Sequence, residues 1–315
     1  MATALDMREC IACKKPIRDA QADYYQCSCC GTYNYISQFS ATEENNAYFN
    51  DIYLKVEDFK ISEAKSEMFN KFLERDRKLR ADEYNLFEKT KDEISEAMSA
   101  SKKILEIGFG EGENLSRLLK KGIDAEGVDI SEEAIRKFKR NFPEYASKVR
   151  LKIGATDKKY DFIYCSALFE HLDDVKNFLS EIFNILEKDG VLVIDNLPIM
   201  SEKRAHLNKD NDICFWKPCH RAIYSVDGLK ILFKNSGYVI EKVSSIDNFN
   251  YRVLSLLLKY GYKDIVYLRN PVLENTALPG SMITYLLCRK ALKIHSLAKQ
   301  SVLIIKKDVN KLAYR

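Results

Sequence analysis

The chain lacks the long apolar run of a membrane helix: no stretch reaches about 18 consecutive apolar residues. Its opening, MATALDMREC, has no apolar core of the leader type, so no signal peptide is expected. Nor is there a strong charge of one sign. The 50 basic and 46 acidic side chains leave +4, too mild to imply a nucleic-acid partner. Internal repeats and low-complexity linkers are missing. What remains is a globular composition, 46% apolar and 30% charged over 315 residues. That is enough for one full α/β domain and a smaller attachment. The nine cysteines do not read as a disulfide framework: five fall before position 31, and Cys165, Cys214, Cys219 and Cys288 are scattered. A reduced, cytoplasmic chain with a local metal site is expected.

Charge is uneven along the chain. From Arg289 to Arg315 eight Lys/Arg face one Asp, or +7, leaving −3 (4 − 7) for the rest. Such a tail suits an anionic surface, such as the inner face of a membrane, or a solvated helix face.

Three regions follow. Residues 1–50 are rich in Cys and turns. Residues 51–100 are highly charged with spaced apolar residues (Met68, Phe72, Leu79, Phe87, Ile94, Met98), a pattern of one or two helices lying on a larger body. From 101 to 315 strands and helices alternate. Strands are predicted at Ile104–Ile107, Ala125–Asp129, Val149–Ile153, Phe162–Cys165, Val191–Ile194, Tyr238–Val243 and Val302–Ile305. Helices are predicted at Asn114–Lys121, at Ser131–Asn141 with Ser131 as N-cap, at Val175–Glu187 ended by Asp189-Gly190, and from Ser225 to Gly237. The fold class is α/β, a Rossmann-like, doubly wound, mostly parallel sheet. Amphipathic patches at Val253–Leu258 and Ile283–Ala298 interrupt the rhythm at about 250–300. That segment would cover an acceptor, make a dimer or lie on a membrane. Ile283, Leu287, Ala291 and Ile294 share one helical face, which fits a helix at a membrane interface and equally a helix packed on the core.

The stretch "ILEIGFGEGENL" places Gly108, Gly110 and Gly112 between a strand and a helix. Glycines there let backbone approach a ligand closely. The dinucleotide fingerprint G-x-G-x-x-G fails, because position 113 is Glu. Glu111 and Glu113 would also face a diphosphate. At ~4 Å and an effective dielectric near 20, each repulsion costs about 4 kcal/mol. A cofactor with an amine and a sulfonium and without phosphate fits better, which describes S-adenosylmethionine. Asp129 ends the next strand, 21 residues (129 − 108) past Gly108, where a carboxylate can accept from ribose hydroxyls. Alternatively it only helps to cap the following helix.

With these residues in view the chain resembles the class I S-adenosylmethionine-dependent methyltransferases over roughly Lys102 to Asp308. "LEIGFGEG" is similar to their first motif and "GVDIS" to their ribose-binding strand. The run from "YDFIYCSALFEHLDD" to "VLVIDNLP" resembles the small-molecule branch, as do "AIYSVDGLKILFKNSGYVIEKV" and "SVLIIKKD". The resemblance implies cofactor contacts by Gly108, Gly110, Gly112 and Ser166. It implies Glu106 at the methionine end, Asp129 at the ribose and Ile130 at the adenine face. An acid often follows the third strand in the family; here Ala155 takes that place, with Asp157 or the backbone as the substitute.

Cys10-x-x-Cys13 and Cys27-x-x-Cys30, thirteen residues apart, read as a zinc ribbon with four thiolates and no open position, hence structural. Cys29 competes with Cys30 for the fourth place. The following "SATEENNAYFNDIYLK" resembles the stretch after such ribbons in bacterial methyltransferases of saccharide and natural-product pathways.

Methyl transfer needs proximity and sometimes a base. His171, in "FEHLDD" at the carboxyl edge of the sheet, is a candidate base or a structural residue that holds the loop; His220 and Tyr224 are further candidates. Some quinone O-methyltransferases carry E-x-x-E-H with a metal. Ala167 replaces the first acid here, so no catalytic metal is expected. Phe215 and Trp216, the only Trp, would line an acceptor pocket or pack a lid. The expected reaction is methylation of a small molecule, foremost a sugar or a nucleotide- or lipid-linked saccharide, at oxygen or carbon. The alternatives are an RNA base methyltransferase docked through ribbon and tail, and a non-catalytic module that binds the cofactor.

Overall fold

A computed structural model describes residues 9–17, 24–35, 63–153, 158–201, 207, 209–215, 220–260 and 281–308. Trp216, Ala155, Asp157 and the "SATEENNAYFNDIYLK" stretch lie outside the described residues. In chain order the elements are β1 (Tyr24–Gln26), β2 (Tyr33–Tyr35), α1 (Glu63–Leu79), α2 (Ala81–Ala100), β3 (Ile104–Ile107), α3 (Glu113–Lys120) and β4 (Ala125–Val128). Then come α4 (Glu132–Asn141), β5 (Val149–Arg150), β6 (Tyr160–Ser166), α5 (Val175–Ile185), β7 (Leu186–Met200) and β8 (Ala222–Ile223). The last are α6 (Val226–Asn235), β9 (Tyr238–Ile246), α7 (Phe249–Lys259), α8 (Ser281–Ala291) and β10 (Ala298–Lys307).

Seven strands form the main sheet in the order β5-β4-β3-β6-β7-β10-β9. β5, β4, β3, β6 and β7 run parallel, and β10 enters antiparallel to both its neighbours. All four residues of β3, "ILEI", are buried, as expected for a parallel strand covered on both faces. On one face α2 buries Tyr84, Phe87, Ile94 and Met98 in the same cluster as Phe109, Leu115 and Phe138. On the other, Val175, Leu179, Leu229 and Phe233 share a core with Cys10, Cys27 and Cys30. The Cys-rich segment therefore packs into the main body. Its small sheet has the order β1-β2-β8, and β8 comes from the far end of the chain.

A third apolar cluster joins α1, α7 and α8 through Phe69, Phe249, Val253, Leu287 and Ala291. Leu287, Ala291 and Ile294 are buried there, so their shared face packs on the core. At its centre Arg252 is fully buried and meets Asp76 (2.6 Å) and Asp247 (3.2 Å).

Several predicted boundaries move. The fifth helix stops at Ile185, because Leu186 pairs with Tyr160 in the sheet. Gly190 is no helix cap: a Cβ there would lie 2.8 Å from Leu186 Cδ1, so close approach is what it provides. β7 is consequently far longer than Val191–Ile194, and β5 shrinks to two residues. Leu79, expected on a packing face, is exposed.

Candidate active site and cysteine centre

The three turn glycines all adopt left-handed backbone, with φ of 73°, 54° and 76° at Gly108, Gly110 and Gly112. Each is there for a different reason. A Cβ on Gly112 would meet the Phe138 ring at 2.2 Å, and one on Gly108 would touch Leu168 at 3.3 Å. A Cβ on Gly110 would meet nothing within 4 Å among the described residues. That open side, beside a backbone that only glycine adopts readily, is where a ligand can lie against the turn.

Acidic groups ring this space. Asp129 accepts from the Gly110 N–H (2.8 Å) and the Ser131 N–H (2.9 Å), stapling the two turns together. Ser131 caps α4 by accepting from the Ala134 N–H. Burial raises the Asp129 pKa, while its two backbone donors oppose the rise. Glu106 is 6% exposed and accepts from Asn114 Nδ2 at 3.1 Å. Burial pushes its pKa up to about 7. A buried carboxyl of this kind is relieved by a cationic partner. Ile130 presents an apolar shelf, 55% exposed. Glu113 is exposed at the start of α3, so solvent screens much of the repulsion it would exert on a phosphate. Buried Glu106 and Asp129 carry that argument better.

Past β6 the chain turns through Ala167, a non-glycine residue at φ 48°, and a 3-10 turn Phe169–His171. Leu168, which rests against Gly108, leads directly into Glu170 and His171. His220 and Tyr224 arrive from the segment around β8. The His171 and His220 rings meet edge to face, 4.8 Å between centroids. His220 Nδ1 bonds the Cys214 carbonyl at 2.7 Å, and burial lowers its pKa to about 4. The Tyr224 hydroxyl is buried with no hydrogen-bond partner among the described residues. The fold thus gathers His171 and His220, which the sequence holds far apart. Phe215, expected to line an acceptor pocket or pack a lid, packs edge-on against Tyr24 and Tyr33, 5.1 Å from each.

Several residues here carried no recognised signal. Asp195 binds Lys91 of α2 and accepts from the Tyr164 hydroxyl at 2.6 Å. Asn196, at φ 57°, donates to Ser166 Oγ at 2.8 Å. An Asp-Asn pair closing the run "VLVI" was the available clue, since Asn tolerates left-handed backbone.

The cysteine centre repeats one local design twice. Cys10 N–H bonds Lys15 O and Lys14 N–H bonds Cys10 O; likewise Cys27 N–H bonds Thr32 O and Gly31 N–H bonds Cys27 O. Lys14 (φ 60°) and Gly31 (φ 77°) occupy equivalent left-handed positions. The Sγ atoms of Cys10, Cys13, Cys27 and Cys30 lie within 4.8 Å of one another, with Cys10–Cys30 and Cys13–Cys27 at 3.6 Å. Sulfurs around tetrahedral zinc, at ~2.3 Å from the metal, stand about 3.8 Å apart. The donor set and spacing fit that ion. Cys29 is exposed and outside the cluster.

The small sheet ties this centre to the histidines. Tyr24 donates its hydroxyl to the His220 carbonyl at 2.6 Å, and β2 pairs with β8. Ser225 donates to the Cys30 carbonyl and caps α6 through Gly228 N–H.

With this geometry in place, comparison with known proteins is direct. The profile of a methyltransferase domain matches residues 75–243, more than half of the chain. The chain belongs to this methyltransferase-domain family. An uncharacterised protein of Methanocaldococcus jannaschii is 28% identical over 139 residues, 44% of this chain and 59% of that one. The ubiquinone biosynthesis O-methyltransferase of Pelagibacter ubique is 28% identical over 100 residues, 30% of this chain and 42% of the relative. The chain thus spans about half the length of these curated relatives. Geranyl diphosphate C-methyltransferase of Streptomyces coelicolor shares the fold: TM-score 0.50, 14% identity, 86% of this chain and 100% of that one. In this methyltransferase-family chain the matched span runs from α1 through β9. It takes in the glycine turn, Glu170, His171, His220 and Tyr224, but not Cys10, Cys13, Cys27 and Cys30.

Proposed function

We propose that the chain transfers a methyl group from S-adenosylmethionine to a small-molecule acceptor, foremost a sugar or saccharide intermediate. One observation carries the reading: the open side of Gly110, in a turn that follows buried Glu106 and is bonded to buried Asp129. When bound, the cofactor supplies a methyl group activated by a positively charged sulfur. Glu106 would hold its amine and Asp129 its ribose hydroxyls, the turn glycines and Ser166 would contact it, and Ile130 would cover one face of its adenine. Acceptor contacts are assigned to His171, His220 and Tyr224, at the carboxyl edge where ligands enter such sheets. These residues would hold an acceptor oxygen or carbon against that methyl, which would exchange its bond to sulfur for one to the acceptor, while the acceptor proton would leave to solvent. A structural zinc in the Cys10, Cys13, Cys27, Cys30 centre would hold β1 and β2 against β8, and so fix the acceptor wall.

The test is incubation of the full chain with methyl-labelled S-adenosylmethionine, a nucleotide-sugar panel, total tRNA and rRNA. Label in the sugar fraction is expected. Label confined to RNA would replace the acceptor class; cofactor binding without transfer to anything would leave a binding module.

A further inference from the structure

We propose that Glu170, His171 and His220 form a second metal site, taking a divalent transition-metal ion. The donors come from two separate segments that are locked together. Arg221 N–H donates to the Glu170 carbonyl at 2.6 Å, and Arg221 Nε pairs with Asp173 at 3.1 Å. The ligand atoms of all three residues lie within 4.8 Å of one another, and His171 Nε2 stands 3.9 Å from Glu170 Oε1. Donors around an ion at about 2.1 Å are at most about 4 Å apart. Side-chain shifts of under about 1 Å would close the site.

Two features point to a cation and not merely to packing. Glu170 is 2% exposed, and its Oε2 atom has no hydrogen-bond partner among the described residues. A buried carboxylate oxygen in that state is costly, and an ion removes the cost. His220 already has its supporting contact. Its Nδ1–H donates to the Cys214 carbonyl, which leaves Nε2 as the basic nitrogen, as in metal-bound imidazoles. Two imidazoles with one carboxylate favour zinc, iron(II) or nickel over magnesium or calcium. Three protein donors leave a position for water or a ligand oxygen. Ala167 removed one donor that a sequence pattern would require; the fold brings His220 in its place.

Ion binding here does not require methyl transfer, so the test reads metal alone. The full chain is loaded with Zn²⁺, freed of excess ion, and its zinc per chain measured. Co²⁺ exchange then reports the thiolate centre separately through its sulfur-to-cobalt absorption. Two ions per chain are expected. Glu170→Gln and His220→Gln should each lose one while keeping the thiolate absorption, which doubles as a check that the joined small sheet is folded. Cys10→Ser should lose the thiolate absorption and keep the other ion. If one replacement unfolds the chain, His171→Asn is the alternative for the same site. Zinc content unchanged in the folded variants, or a single ion in the parent chain lost only with Cys10→Ser, would overturn the site.

Discussion

Alanine at Gly110 and at Gly112 should fail in opposite ways. Both positions are left-handed, which costs an L-residue about 1–2 kcal/mol. At Gly112 the new methyl would sit 2.2 Å from Phe138 Cδ2 and 2.6 Å from Cε2. Phe138 cannot swing away, since it is fully buried between Phe109 and Phe142, with ring centroids 5.5 and 5.1 Å distant. Overpacking of this kind adds about 1–3 kcal/mol, so Gly112→Ala should lose about 2–5 kcal/mol in all. Gly110→Ala meets no atom of the described residues within 4 Å and should lose only the backbone share, about 1–2 kcal/mol. Its methyl, however, fills the space assigned to the cofactor. A loss of at least ~100-fold in S-adenosylmethionine affinity, about 2.7 kcal/mol, is expected. Urea denaturation gives the stabilities and titration calorimetry the affinity. Full cofactor affinity in Gly110→Ala, or parental stability in Gly112→Ala, would refute the reading of this turn.

Three further outcomes are expected. Glu106 has its pKa raised from 4.5 to about 7 by burial, so the folded state prefers its proton. The stability it lends is present below pH 4.5 and lost as pH rises through 7. At 1.36 kcal/mol per unit that is about 3 kcal/mol at most. Glu106→Gln should flatten that part of the profile in denaturant titrations, and an unchanged slope would absolve Glu106. Cys10→Ser, or metal chelation, should speed amide exchange in β8 as well as in β1 and β2, leaving β3 and β6 protected; unchanged exchange at Ala222 and Ile223 would show that the centre does not support the histidine segment. Arg252→Met removes the bridge between buried Asp76 and Asp247, which keep Arg80 and Tyr84, and His295, as partners; it should cost about 3 kcal/mol in urea, the low end for a broken buried pair, and a loss under about 1 kcal/mol would mean that those partners or water replace the guanidinium.

The parallel sheet was readable because its strands are short apolar runs punctuated by glycine and capped helices. Ser131 and Ser225 cap helices where the sequence placed them. The start of β7 was not readable, since Leu186–Gly190 continues the amphipathic pattern of α5 and only pairing with Tyr160 decides its conformation. The four cysteines were legible from spacing, and the choice of Cys30 over Cys29 came from the geometry of the turn. The partnership of β2 with β8, and so of His220 with the ribbon, joins residues nearly two hundred positions apart. No local pattern encodes it. The packing of Phe215 has a related origin: its partners Tyr24 and Tyr33 lie in the other half of the sequence.

The most direct measurement is calorimetric titration of the full chain with S-adenosylmethionine and, separately, with NAD. One saturable site for S-adenosylmethionine is expected, weakened by Gly110→Ala, with no heat of binding from NAD. Binding of NAD, with none of S-adenosylmethionine at millimolar concentration, would contradict a phosphate-free cofactor between Gly110, Glu106 and Asp129.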